Sequence, residues 1–187
     1  MADAARLQKL LSRIPQVDAS HVQGNLPTAD KQVIASIFRF FITGGATPSA
    51  FARSVGERSE VVEMNIFENP ERAEVVLEVE VTQDMCNAFG TLHGACGAFL
   101  LDHATLGTFV LLGRVKAFDG VGMTTTMNLH WHTPATAGEV ITIRASTLFV
   151  DRRQRGARVA RCEIREKTTG RLVVSGTTGG ANSGGKL

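Results

Sequence analysis

Residues 87–112 read NAFGTLHGACGAFLLDHATLGTFVLL, and this stretch decides how the rest of the chain is arranged. Residues 94–112 approach the ~20 apolar positions that cross a bilayer as a helix, yet Asp102 and His103 stand in their middle. Both would sit near the bilayer centre at a cost of a few kcal/mol on insertion scales, and the nearby cations, Arg114 and Lys116, flank one side only. A helix that is apolar all round is more simply one that the rest of a globular fold wraps, and no membrane span is expected.

The wrapping material lies on both sides. EVVEMNIF and AEVVLEVEVT precede the stretch; GMTTTMNLHWH, EVITIRASTLFV, ARVARCEIRE and RLVVSGTT follow it, each alternating apolar and polar residues as strands do. ENPE, TPATAGE, DRRQRGA and KTTGR supply turns between them. Two strands, one buried helix and four more strands suit an α+β fold in which an antiparallel sheet curls around a central helix.

The residues before position 57 follow a helical period and form an N-terminal extension, residues 1–56, ahead of a main domain at 57–179 and a tail at 180–187. DAARLQKLLSRIP spaces Leu7, Leu10, Leu11 and Ile14 along one face; TADKQVIASIFRFFITGG has a cap near Thr28 or Asp30 and a stop at Gly44-Gly45. TPSAFARSV predicts a further helix capped by Thr47, with Pro48 at its first position. Phe38, Phe40 and Phe41 require cover, so the extension is expected to dock on the sheet. Arg6, Lys9 and Arg13 among leucines give a mitochondrial presequence as the competing reading of the first residues, against which Asp3 counts.

A net charge of +2 is too small to imply a nucleic-acid-coating surface, and no aromatic residues interleave with the arginines of DRRQRGARVAR, which disfavours nucleic-acid binding. Cys86, Cys96 and Cys162 form no CxxC pair, which argues against a disulfide framework or zinc ribbon and for a reducing compartment, cytoplasmic in the simplest case. The tail imitates a phosphate-binding loop through Gly180, Gly185 and Lys186, but Leu187 stands where Ser or Thr is required.

The chemistry gathers around the central helix. DMCNAFGTLHG delivers His93 and Gly94 to the helix start, where free N–H groups and the positive end of the dipole stabilise an oxygen that gains negative charge. Losing one donor from such an oxyanion hole costs ~3–4 kcal/mol of barrier stabilisation. Asp102 is destabilising in an apolar helix unless something pairs with it, and a desolvated carboxylate is a stronger base. A plain structural aspartate satisfied by its neighbours is the competing reading. His93 and Asp102, nine residues apart, are separated by roughly 13 Å along a helix axis, too far for one chain to bring both to the same carbonyl. Cys86 near His93 lacks an orienting third group for nucleophilic work, and His130 with His132 lacks a third ligand for a metal.

The pattern N-x-x-G-x-L-H-G followed by Asp eight residues beyond its last glycine, carried by Asn87, Gly90, His93, Gly94 and Asp102, resembles the signature of hotdog-fold thioesterases. The likeness is to the phenylacetate-degradation and acyl-CoA thioesterase 13-like branch, over about residues 60–178. It departs at Ala95, where the family usually has a second glycine. The resemblance implies hydrolysis of an acyl-CoA thioester without metal or cofactor: Gly94 N–H polarises the carbonyl, Asn87 and His93 orient substrate and water, and Asp102 activates the water. Thr124 is the implied hydroxyl partner, with Thr125 and Thr126 as alternatives. It also implies a homodimer, assembled as a tetramer, with Asn87, His93 and Gly94 from one subunit and Asp102 and Thr124 from the other. Arg152, Arg153, Arg155 and Arg158 are candidates to hold the phosphates of coenzyme A. A hotdog hydratase or dehydratase, and a non-catalytic acyl-CoA sensor, are the alternatives.

Overall fold

The computed structural model describes residues 14–152 and 156–181. Six strands form one antiparallel sheet: β1 (Glu60–Glu68), β2 (Glu71–Glu80), β3 (Met123–Trp131), β4 (Val140–Val150), β5 (Ala157–Glu166) and β6 (Leu172–Ala181). Their order is β1-β2-β4-β5-β6-β3, so β3 lies at an edge beside β6. The period-two text produces the core directly. Leu77, Ile143, Ile164 and Val174 pair in register across β2, β4, β5 and β6, and none has exposed surface. The adjoining row, Val75, Ala145, Cys162 and Gly176, carries small side chains from β4 to β6 and leaves room for an element on that face.

That element is the 23-residue central helix, numbered α3 (Gly94–Lys116), after α1 (Thr28–Ile42) and α2 (Arg53–Arg58). Leu100, Leu101, Ala104, Leu111 and Leu112 of α3 are buried. Its two buried hydroxyls, on Thr105 and Thr108, are satisfied by donating to the carbonyls of Asp102 and Thr105 one turn back. Most of this apolar helix is therefore buried within its own chain.

The extension docks differently from the sequence expectation. Its longest element, α1, packs against α3: a Cβ at Gly107 would meet the Phe38 ring at 3.4 Å and Val75 of β2 at 3.8 Å, and Ile34, Ile37 and Ile42 are buried. The sheet already carries α3, so the apolar face of α1 finds cover on that helix and joins the same core as Val61, Met64 and Val75 of the first two strands. Ahead of α1, Gln23 pairs alongside β1, donating to Val62 O at 2.8 Å and accepting from Met64 N at 3.0 Å, which covers the edge of that strand. The N-cap of α1 is Pro27, with no side-chain cap bond, and Thr28 begins the helix. No helix starts at Thr47. Residues 47–51 form turns, Ala52 adopts φ 51° and only Arg53–Arg58 are helical, because Arg53 draws the carbonyls of Gly45 and Thr47 onto its guanidinium at 3.2 and 3.0 Å. The expected helix at Leu7, Leu10 and Leu11 lies outside the described residues.

Candidate active site

The loop before α3 is built around Asn87. Its side-chain Oδ1 accepts from Phe89 N at 2.9 Å and from Thr91 N and Oγ1 at 3.3 and 3.2 Å, a local turn that leaves the amide N–H groups without an acceptor among the described residues. Backbone bonds pin the rest: Asn87 N to Thr91 O, Leu92 N to Ala135 O and His93 N to Met85 O, all 2.7–2.8 Å. The loop reaches the extension as well, since Ser54 donates to Asp84 Oδ2 at 3.2 Å, and Arg58 donates to both carboxylate oxygens of Asp84 at 3.0 and 2.9 Å and to Thr82 Oγ1 at 2.8 Å. With Thr82 and Arg58 as donors, the Asp84 carboxyl is held down at about 2.

His93 is the N-cap of α3: its Nδ1 accepts from Ala95 N at 3.0 Å. An Nδ1 that accepts leaves the proton of the neutral ring on Nε2, which is then a donor. Cys96 N and Gly97 N both turn back to His93 O, whereas Gly94 N has no acceptor among the described residues. One free N–H, one imidazole N–H and one carboxamide thus cluster at the positive end of a 23-residue helix. Sequence reasoning missed Trp131, whose indole would meet a Cβ at Gly94 at 3.3 Å; glycine at this position is what allows that approach.

Asp102 lies two turns along α3. It is half-buried rather than enclosed, on the side of the helix that faces β3 and residues 41–51. Thr124 Oγ1, on β3, donates to Asp102 Oδ1 at 2.5 Å, while Oδ2 has no hydrogen bond among the described residues and stays open to a water. Thr125 donates instead to Gly179 O at 3.2 Å, so the hydroxyl that meets Asp102 is that of Thr124. Next to it, His103 Nδ1 lies 3.0 Å from Phe99 O and its ring stands 4.4 Å from the Phe99 ring. The chain brings together Asn87, His93 and Gly94 at one end of this assembly and Asp102 with Thr124 at the other; it does not bring the two ends together.

The remaining candidates lie elsewhere. Cys86 Sγ rests on Thr82 O, and burial pushes the Cys96 thiol up to about 11, the opposite of an activated nucleophile. His132 Nε2 sits 2.8 Å from Ser175 Oγ. Arg152 is exposed and pairs with Glu71, holding that carboxyl below the ordinary carboxylate range. Arg153 and Arg155 lie outside the described residues. Arg158 corrects its expectation: it is 3% exposed, and its Nη1 donates to Gly120 O at 2.8 Å with Nη2 on Asp119 O, so the guanidinium is held inside the fold, its Nε buried without a partner among the described residues. The signal was legible, for Arg158 shares its strand parity with the buried Ala160, Cys162 and Ile164. Arg158→Ala is expected to lower unfolding stability by about 2–4 kcal/mol, from two charge-assisted bonds and the Phe118 contact, with KM nearly unchanged. Urea unfolding and initial rates check this; a stable variant with raised KM would return Arg158 to the phosphates.

A helix N-terminus with a free N–H and a separate Asp–Thr pair suit acyl transfer to water, and comparison with known proteins agrees. The model of the thioesterase superfamily matches residues 89–170. Acyl-coenzyme A thioesterase 13 of Homo sapiens is 34% identical over 104 residues, 54% of this chain and 68% of that protein. The chain belongs to the thioesterase superfamily. As a member it is a thioester hydrolase with the hotdog fold. Zebra fish thioesterase superfamily member 2 superposes with a TM-score of 0.64 at 25% identity, over 80% of this chain and 95% of the other. Its counterpart from Mus musculus gives 0.61 at 24%, over 79% and 96%, a likeness of fold. In this thioesterase the matched span contains the helix N-terminus, Asp102 and Thr124, while α1 and α2 fall before it.

Proposed function

We propose that the protein hydrolyses acyl-CoA thioesters to a free acid and coenzyme A. The hydrogen bond from Thr124 to Asp102 carries the reading: it fixes one carboxylate oxygen and leaves the other to take a proton from water. In the proposed reaction that water's oxygen bonds to the thioester carbonyl carbon as its proton passes to Asp102. The carbonyl oxygen becomes an oxyanion, received by Gly94 N–H with the His93 Nε2–H and the Asn87 amide beside it. Collapse breaks the C–S bond, and the proton held by Asp102 leaves with the thiolate as thiol.

Helix geometry asks for two copies. His93 caps the helix on which Asp102 sits nine residues later, so the two ends stand roughly 13 Å apart along the axis, whereas both need to be within about 3 Å of the reacting group or its water. A two-fold dimer supplies each end from a different subunit. The free edge of β3 suits that contact, since its Met123, Met127 and Trp131 are exposed. Leu148 and Phe149, exposed on β4, offer a second apolar contact for a tetramer. Of the four candidate arginines, Arg152 is the described one at the surface, where exchange of its Glu71 partner would free it for phosphate, and the three free cysteines suit a reducing compartment such as the cytoplasm.

Thiol release from a panel of acyl-CoA thioesters tests the reading. The expected result is stoichiometric free thiol and acid without added metal. Loss of an enoyl double bond without thiol release would make the protein a hydratase, and binding without either reaction would make it a sensor.

A further inference from the structure

Between α3 and the extension runs a groove of about 450 Å³, with Ala95, Ala98, Phe99, Asp102 and His103 as a stripe along its helical side. These positions recur at three- and four-residue spacing, so they form one face of α3. The opposite wall is residues 41–51, with Phe41, Ile42, Gly44, Ala50 and Phe51, and Met127 of β3 also lines the groove. No lysine or arginine lines the groove, and its ionisable lining groups are Asp102 and His103. A cavity of this size and polarity takes an apolar group and gives phosphates nothing to hold. It is continuous with the carboxylate that faces the thioester in the proposed reaction.

We propose that residues 41–51 select the acyl chain, with Ala50 setting the width of the groove and Phe51 closing over the chain; this rests on the thioesterase reading above. The wall is preorganised. Gly44 N donates to Phe41 O and Gly45 N to Phe40 O, at 3.1 and 2.7 Å, and the Arg53 guanidinium gathers the carbonyls of Gly45 and Thr47. Gly44 adopts φ +71°, and a Cβ there would stand 2.1 Å from that of Ala50, so any side chain would drive Ala50 into the groove. Phe51 is 77% exposed while its ring meets Phe99 edge-on, centroids 5.7 Å apart. A large apolar side chain held open to water above an apolar trough is placed to cover a ligand. Residues 41–51 lie before the span matched to the superfamily, which begins at residue 89.

The test uses the full chain as Ala50→Phe and Phe51→Ala, with acetyl-CoA and octanoyl-CoA. Wild type is expected to favour octanoyl-CoA in kcat/KM. Ala50→Phe lowers that value for octanoyl-CoA at least tenfold and leaves acetyl-CoA within about twofold; Phe51→Ala lowers it about fivefold with acetyl-CoA again spared. Phe51 is exposed, so its variant keeps the test alive should Ala50→Phe fail to fold. An active wild type whose variants change both substrates equally, or neither, overturns the selector alone. A wild type that hydrolyses neither thioester overturns the thioesterase reading and the selector with it.

Discussion

Asp102→Asn is expected to lower kcat by roughly 10²–10⁴-fold while KM for acyl-CoA moves by no more than about threefold. The substitution keeps the volume at this position and keeps an oxygen to accept from Thr124 Oγ1, now 2.5 Å from the carboxylate. What it removes is the open carboxylate oxygen, the group assigned to take the proton from water. The change therefore falls on the step in which the C–O bond forms rather than on holding the substrate. Thr124→Val separates positioning from chemistry: the carboxylate remains but loses its orienting donor, so kcat falls by a smaller factor. Steady-state rates on one acyl-CoA, with circular dichroism to confirm folding, decide the matter. Near-normal turnover in Asp102→Asn would remove the base from the mechanism.

The second large effect is a gain of activity. Asn87→Ala and Asp102→Asn subunits, each inactive alone, are expected to recover on the order of a quarter of wild-type activity when refolded or expressed together. Random pairing makes about half the dimers mixed, and each mixed dimer holds one doubly damaged site and one intact site. The expectation follows from the cap at His93 and the place of Asp102 on the same straight helix, which hold the two half-sites apart in every protomer. Confirmed mixed dimers without recovery would mean that Asn87 and Asp102 act within one chain.

The order of elements was legible because its causes are local. Each strand has its own period of two, and the central helix is a single apolar run, so neither needs a distant partner to be recognised. The start of α3 was legible for the same reason: His93 caps through an atom of its own side chain to a backbone two residues away. The boundaries of the extension were not. TPSAFARSV has a helix-start composition, yet Arg53 draws the carbonyls of Gly45 and Thr47 onto itself and holds residues 47–51 in turns. Local propensity, a few tenths of a kcal/mol per residue, yields to several hydrogen bonds at once.

By itself the sequence determined the six strands and their enclosed helix, the free N–H at its start, and the distance between His93 and Asp102, because each follows from periodicity or from the fixed rise of a helix. Only the tertiary structure decided where side chains end. It turned Arg158 inward onto Gly120 O, packed α1 against α3, and set residues 41–51 opposite Asp102 to make a groove. It also brought Thr124 to Asp102 from 22 residues away. These are meetings between segments, and they depend on strand register and on which face each element buries. A linear pattern specifies such a face, while the neighbour that covers it is settled by packing across the whole chain.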